Sequence, residues 1–278
     1  MDLYEELVRL RRQGRKCALA TIIQARGSIP SYPSAKMLVR DDGSAAGTVG
    51  GGCVEAEVWR AAREVIESET PRLLTFNLDQ EAVHESGLLC GGQLEVYVEP
   101  VLPPPRAVIF GAGHISRGLC RVVSLAGFSV AVVDDRESFA NRERFPEADE
   151  IYAEQYESAV EKLSLNENCY VVIATRGHRD DMRVLRLVAA APLRYLAMIG
   201  SQRKVTAIIE QLRKEGLPAE VFERLHAPMG LDIGAVTPEE IAVSVAAEMI
   251  AVRRRAASNW RDLSKSIFLK TRSPELLT

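Results

Sequence analysis

Between Arg106 and Arg136 the chain reads RAVIFGAGHISRGLCRVVSLAGFSVAVVDDR. Ala107–Phe110 is a short apolar run, and Gly111-Ala112-Gly113 breaks it. Ile115 to Ala126 then repeats at helical spacing, and Ser129–Val133 is a second apolar run closed by Asp134. Strand, glycine turn, helix, strand and acid is the order of a dinucleotide-binding βαβ unit. Gly111 permits the tight turn. Gly113 lets the backbone approach a phosphate at the helix N-terminus, where free N–H groups and the helix dipole favour an anion. Asp134 stands about 20 residues on, where an acid can hydrogen-bond a ribose hydroxyl. The third small position is Ser116 rather than glycine, and Gly118 is out of register. Serine still allows close helix–strand packing. The fold therefore survives the departure, and an empty structural turn stands as a reading beside a bound nucleotide.

The strands that follow extend the same pattern. Cys169–Thr175 is an apolar run of the kind buried on both faces. The loop after it, Thr175–Arg179, carries Arg176 and His178. Ligands of open parallel sheets sit outside the carboxyl ends of the strands, so this loop is expected at the same crevice as Gly111–His114. There His178 and Arg176 can meet a phosphate or polarise a carbonyl, or His178 can simply cap the next helix. After the strand Tyr195–Ile199, Ser201 is an N-cap residue and Arg203 and Lys204 stand in the first helical turn. These two cations bind a ligand's phosphate or are solvated. Thr237-Pro238-Glu239-Glu240 is a capping box with proline at the first helical position, and its helix is expected to run to about Arg255.

Ahead of this region, Val101–Pro105 (VLPPP) is a stiff linker. The first hundred residues open on an amphipathic helix with Leu3, Leu7 and Leu10 on one face. Strands are expected at Lys16–Ile23, Ala35–Arg40, Leu73–Leu78 and Gln93–Glu99, with a loop over Gln24–Pro33. Gly50, Gly51 and Gly52 crowd ahead of Cys53, where a helix with Val54, Val58, Ala61, Ala62, Val65 and Ile66 begins. A thiol at a helix N-terminus sits at the positive end of the dipole, which favours the thiolate. The glycines leave backbone N–H groups open to an anion. A small buried cysteine in a tight turn is the alternative. Cys90-Gly91-Gly92 repeats the theme of a cysteine beside glycines, and His84 reads as a solvated loop residue.

Bulk properties exclude several classes. A net charge of −3 over 278 residues argues against nucleic acid and anionic membrane partners. No apolar run approaches the ~20 residues of a membrane span, and the N-terminal stretch lacks a signal-peptide core, which points to the cytoplasm. Five cysteines without a C-x-x-C speak against a disulfide framework and a zinc ribbon.

Taken together, ATIIQARGSIP, GTVGGGCVE, LCGGQLEVYVEP, FGAGHIS, VVDDR, ATRGHRDD, YLAMIGSQRK and PMGLDIGAVTPEEIAVSVAAEMI resemble the XdhC/CoxI family, the accessory proteins of xanthine dehydrogenase and related molybdenum hydroxylases. The resemblance runs from Lys16 to about Arg255. It implies an α/β chain: an N-terminal α+β XdhC/CoxI domain over residues 1–100, the linker at 101–105, a Rossmann-like doubly wound parallel sheet over 106–257, and a tail at 258–278. It further implies a chaperone without turnover of its own. Such a protein binds the molybdenum cofactor (molybdopterin or its dinucleotide form), partners a cysteine desulfurase while a sulfido ligand is installed, and hands the product to a xanthine dehydrogenase-type hydroxylase. Within that role Cys53 can ligate molybdenum or relay a persulfide sulfur, with Cys90 in support. The Gly111–Gly113 turn can hold the cofactor's phosphate, and Arg176, His178, Arg203 and Lys204 can supplement the charge. A homodimer is the default expectation. The competing reading is an NAD(P)-dependent oxidoreductase with His114 or His178 as acid/base, for which the glycine–cysteine domain has no evident use. A further alternative is a scaffold that docks desulfurase to hydroxylase without touching cofactor.

Overall fold

The computed structural model describes residues 2–27, 32–77, 92–256, 264 and 266. The chain divides into two units, Met1–Pro103 and Pro104–Thr278.

In the first unit, α1 (Leu3–Arg12) precedes β1 (Cys17–Gly27), β2 (Lys36–Arg40) and β3 (Ala45–Gly47); α2 (Gly52–Ser68), β4 (Arg72–Asn77) and β5 (Gly92–Val101) follow. The sheet runs β3-β2-β1-β5-β4, and every pairing is antiparallel. Strand alternation explains its two faces. Leu94, Val96 and Val98 join Ala18, Ala20 and Ile22 against Val54, Val58, Ala62 and Val65 of α2. Leu19 and Leu38 point the other way, to Leu3, Leu7 and Leu10 of α1. The expected loop from Gln24 begins later than its composition suggests. Gln24–Gly27 continue β1, paired with Gly92–Glu95 beyond a register shift after Ile22. Neighbouring-strand pairing there overrides a polar sequence.

The second unit contains β6 (Arg106–Phe110), α3 (His114–Leu125), β7 (Ser129–Val133), β8 (Glu150–Tyr152), α4 (Tyr156–Lys162) and β9 (Cys169–Ile173). It continues with α5 (His178–Val188), β10 (Tyr195–Met198), α6 (Gln202–Lys214), α7 (Ala219–Glu223), β11 (Leu225–His226) and α8 (Pro238–Arg253). All pairings are parallel, in the order β11-β10-β9-β6-β7-β8. This is a doubly wound sheet, with the chain leaving the central β6 first to one side and then to the other. One core packs Val108, Phe110 and Val171 against Tyr156, Val184, Ile208 and Phe222 of α4 to α7. The other packs Ala107, Ile109 and Val130 against Leu119 and Val123 of α3 and Val245 and Met249 of α8. Chain direction therefore reverses between β6 and β9, which makes the carboxyl ends of those strands the switch point. Among the described residues, no helix is long and apolar enough to cross a membrane.

Candidate functional site

Gly111 leaves β6 with φ +104°, and a Cβ there would stand 2.2 Å from the Ala174 carbonyl oxygen at the end of β9. Only glycine fits this approach. The next residue is held through both of its backbone groups: Ala112 N–H donates to Asp134 Oδ2 at 2.7 Å, and its carbonyl accepts from Arg144 at 3.4 Å. Asp134 is buried. It also accepts from Arg136 N–H at 3.1 Å and from the Arg136 guanidinium at 2.8 and 2.9 Å. Burial raises its pKa, but the Arg136 and Ala112 bonds outweigh burial and hold the carboxyl below its ordinary value. The acid expected at a ribose thus holds the glycine turn in this structure. Asp135, beside it, accepts from the exposed Arg176 at 3.0 Å, and Arg176 also donates to Asp180 at 2.9 Å.

Gly113 is of a different kind. Its φ is negative, it caps α3 without a side-chain bond, and a Cβ would meet nothing within 4 Å. Gly177 repeats this at the start of α5, again with no side-chain cap and open space in front. Two bare helix N-termini therefore leave the ends of β6 and β9, the strands on either side of the switch point. His114 is the first residue of α3 and is exposed. His178, expected ahead of a helix starting at Met182, is itself the first residue of α5.

Behind the Gly177 turn lies a network that sequence reasoning did not reveal. Asp181 is fully buried; it accepts from Thr175 N–H at 3.1 Å, from the Thr175 hydroxyl at 2.6 Å, and from Lys204 Nζ at 2.6 Å. Lys204 is thus an internal brace between α5 and α6, not a solvated cation. Ser201 caps α6 as expected, accepting from Lys204 N–H at 3.3 Å. Exposed Arg203 lines an open cavity of about 500 Å³ with His178, Met182, Lys204 and Ile208. Arg203 and His178, far apart in sequence, therefore come together.

In the first unit, Gly50, Gly51 and Gly52 carry φ values of +123°, +82° and +64°. This left-handed run swings the chain into α2, which Gly51 caps without a side-chain bond. The loop is fixed by Glu55, whose Oε1 accepts from the Thr48 hydroxyl and, at 3.3 Å, from Val49 N–H. Cys53 is the second residue of α2 and is exposed, whereas Cys17, Cys120 and Cys169 are buried. Burial pushes Cys17 up to about 11 and Cys120 up to about 12. Gly92 opens β5 opposite Gly27. Cys90, Gly91 and His84 lie outside the described residues. Among the described residues, no group of three His, Cys, Asp or Glu side chains is placed to hold a metal ion.

A doubly wound parallel sheet with uncapped glycine turns at its switch point defines the second unit as a Rossmann-type domain. Residues 107–249 match the XdhC Rossmann domain and residues 10–77 match the XdhC and CoxI family. The chain belongs to that family. It is 38% identical over 257 residues to YqeB of Escherichia coli K12, covering 92% of this chain and 47% of YqeB, so it spans about half the length of that relative. It is 24% identical to a Bacillus subtilis protein named as a probable subunit of xanthine dehydrogenase, over 87% of this chain and 94% of that one. It is also 24% identical to the molybdenum cofactor insertion chaperone PaoD of E. coli K12, over 86% of this chain and 84% of that one. A crystal structure described as a xanthine dehydrogenase from Bacillus halodurans shares the fold, with a TM-score of 0.52 and 23% identity over 97% of this chain and 99% of that one.

Proposed function

We propose that this protein is an accessory factor that carries the molybdenum cofactor to a xanthine dehydrogenase-type hydroxylase. In this reading it binds molybdopterin or its dinucleotide form, supports sulfuration in partnership with a cysteine desulfurase, and works as a symmetric dimer in the cytoplasm. The observation that carries the reading is the pair of glycine-capped helix starts at Gly113 and Gly177. Both are open in front and both leave backbone donors for an anionic group. Gly111 sets the turn, and His114, Arg176, His178 and Arg203 supply charge and hydrogen bonds around it. A ribose in the dinucleotide form would reach Asp134 only by displacing Arg136. Gly50–Gly52 present Cys53 as an accessible soft ligand or sulfur relay, with Cys90, Gly91 and Gly92 in support. Names borne by two relatives, one a cofactor insertion chaperone and the other part of a xanthine dehydrogenase, support the same role. Free thiols at Cys17, Cys53, Cys120 and Cys169 suit a reducing compartment.

The test is mass spectrometry of the gently purified protein, followed by transfer of what it carries to an apo-hydroxylase. A co-purifying pterin that restores hydroxylase activity is expected. Recovery of NAD(P) alone, with steady oxidation of NAD(P)H on a carbonyl substrate, would replace the carrier with an oxidoreductase.

A further inference from the structure

Among the described residues of the second unit, every exposed large apolar side chain lies on α3, on α8 or on the segment leading into α8. Leu125 ends α3, Ile233 and Val236 lead into α8, and Val243 and Ile250 stand on α8. These two helices pack tightly. A Cβ on Gly118 would sit 3.1 Å from Ala242 Cβ, and Arg253 donates to the Ala126 carbonyl at 2.9 Å. The rest of α8 is accounted for. Ala242, Val245, Ala246 and Met249 face the core, and Glu248 is buried on bonds from Tyr195 at 2.6 Å and Gly230 N–H at 2.9 Å.

What faces outward is a stripe of Glu239, Val243, Ala247, Ile250 and Arg254, spaced by three and four residues. A helix that is apolar outward as well as inward is normally buried. The stripe has acids at its N-terminal end, Glu239 and Glu240, and bases at its C-terminal end, Arg253 and Arg254.

We infer that a second copy of this chain covers the stripe, through antiparallel pairing of α8 with its copy about a two-fold axis near Ala247. The sequence is self-complementary under that operation. Val243 lies opposite Ile250, Glu239 lies opposite Arg254, and the small Ala247 stands at the crossing, where it permits close approach. A parallel pairing would set Glu239 on Glu239 and Arg254 on Arg254. The antiparallel one also opposes the helix dipoles favourably. A two-fold interface uses the same patch on both copies, and this patch meets that condition in both apolarity and charge. The inference rests on the dimeric part of the reading above, not on the cargo.

Sedimentation velocity of the full chain tests it. The wild type should sediment as a dimer, and Val243→Glu or Ile250→Glu should halve the apparent mass while the circular dichroism spectrum is unchanged. Glu239→Arg and Arg254→Glu should each weaken the dimer about tenfold, and the two together should largely restore it. A dimer untouched by Val243→Glu overturns the α8 assignment and leaves dimerisation standing. A monomeric wild type overturns both. A wild type that dimerises only after removal of residues 257–278 assigns the stripe to the chain's own C-terminal segment, and likewise overturns the proposal.

Discussion

Two glycines two residues apart should respond to the same substitution in opposite ways. In Gly111→Ala, the new Cβ would stand 2.2 Å from the Ala174 carbonyl oxygen, 2.6 Å from its carbon and 2.8 Å from Thr175 Cα. All three are backbone atoms, so no side-chain rotation relieves the contact. The end of β9 is also tied to β6, with Ala174 N–H donating to the Phe110 carbonyl at 2.8 Å. Relief requires parting the two central strands. Overpacking of this kind costs about 1–3 kcal/mol, and a non-glycine residue at φ +104° adds about 1–3 kcal/mol. The expected loss is about 2–6 kcal/mol, or on the order of 4–24 °C for a unit of this size. Gly113→Ala meets open space at a negative φ. There the entropy gain of about 0.4–1 kcal/mol from stiffening the unfolded chain is offset by a similar penalty for alanine at an N-cap. Its stability should stay within about 0.5 kcal/mol of wild type, while its methyl group intrudes where a phosphate would sit. Urea unfolding, followed by the transition of the second unit, measures the first effect. The amount of pterin retained on purification measures the second, with about a tenfold drop expected for Gly113→Ala, equivalent to ~1.4 kcal/mol. If Gly111→Ala loses less than about 1 kcal/mol, or if both variants lose stability equally, the assignment of one glycine to packing and the other to ligand approach is wrong.

Cys53→Ser should keep its stability within about 0.5 kcal/mol, because the side chain is exposed, yet lower the yield of active hydroxylase in a maturation assay; undiminished activation would remove the thiol from the mechanism. Lys204→Met strands the buried Asp181 carboxylate and should cost about 2–4 kcal/mol by chemical denaturation, most of it recovered in the double variant with Asp181→Asn. Asp134 and Glu248 both have folded pKa values below their ordinary ones; burial opposes this, and the bonds from Arg136 and Ala112 in one case, and from His226, Ser264 and Tyr195 in the other, together outweigh it. A depressed folded value means the stabilisation is present above the unfolded pKa, about 4, and is lost as pH falls through the folded value. The unfolding free energy should therefore decline from about pH 5 downward, and Asp134→Asn should flatten that decline; an unchanged slope would show that Asp134 is not a contributor.

Most of the second unit is legible in the sequence because its strands are apolar on both faces and its turns are marked by glycine. The run Ala107–Phe110, the break at Gly111 and the acid at Asp134 identify their elements without help from tertiary structure. Legibility fails where a residue's partner is distant. Lys204 reads equally as a phosphate ligand or a solvated first-turn charge, and Asp181 carries no local signal at all, since nothing nearby in sequence says that the acid is buried or that the lysine reaches it from the next helix. Likewise, Gln24–Gly27 look like loop until β5 pairs with them, and the edge strands β3 and β11 are too short to carry a period. Asp134 is an instructive case between these. Its position is evident, and so is Arg136 two residues on. What the sequence hides is that the arginine folds back and takes up the carboxylate.

That detail bears on where a ligand can find free hydrogen-bond donors. Six helices of ten residues or more are described. Three begin on a side chain that accepts from the first turn: Asp2, Ser201 and Thr237. The other three begin on glycine with no such bond: Gly51, Gly113 and Gly177. Replacing a good cap typically forfeits about 1 kcal/mol for a non-glycine residue and a few tenths for glycine, so bare starts cost little where glycine stands. At all three a Cβ would meet nothing within 4 Å, so packing does not demand glycine there, although the positive φ of Gly51 does. At Gly113 and Gly177 neither packing nor backbone angle calls for it. What a side chain would remove at those two turns is access to the N–H groups at the ends of β6 and β9, the place where a doubly wound sheet receives an anion. The neighbouring carboxylate, Asp134, is held by Arg136 and by the Ala112 N–H. The turn is thus rigid at its base and open at its lip, which is the arrangement a protein needs if it is to hold a phosphate without reshaping itself, and to release it again.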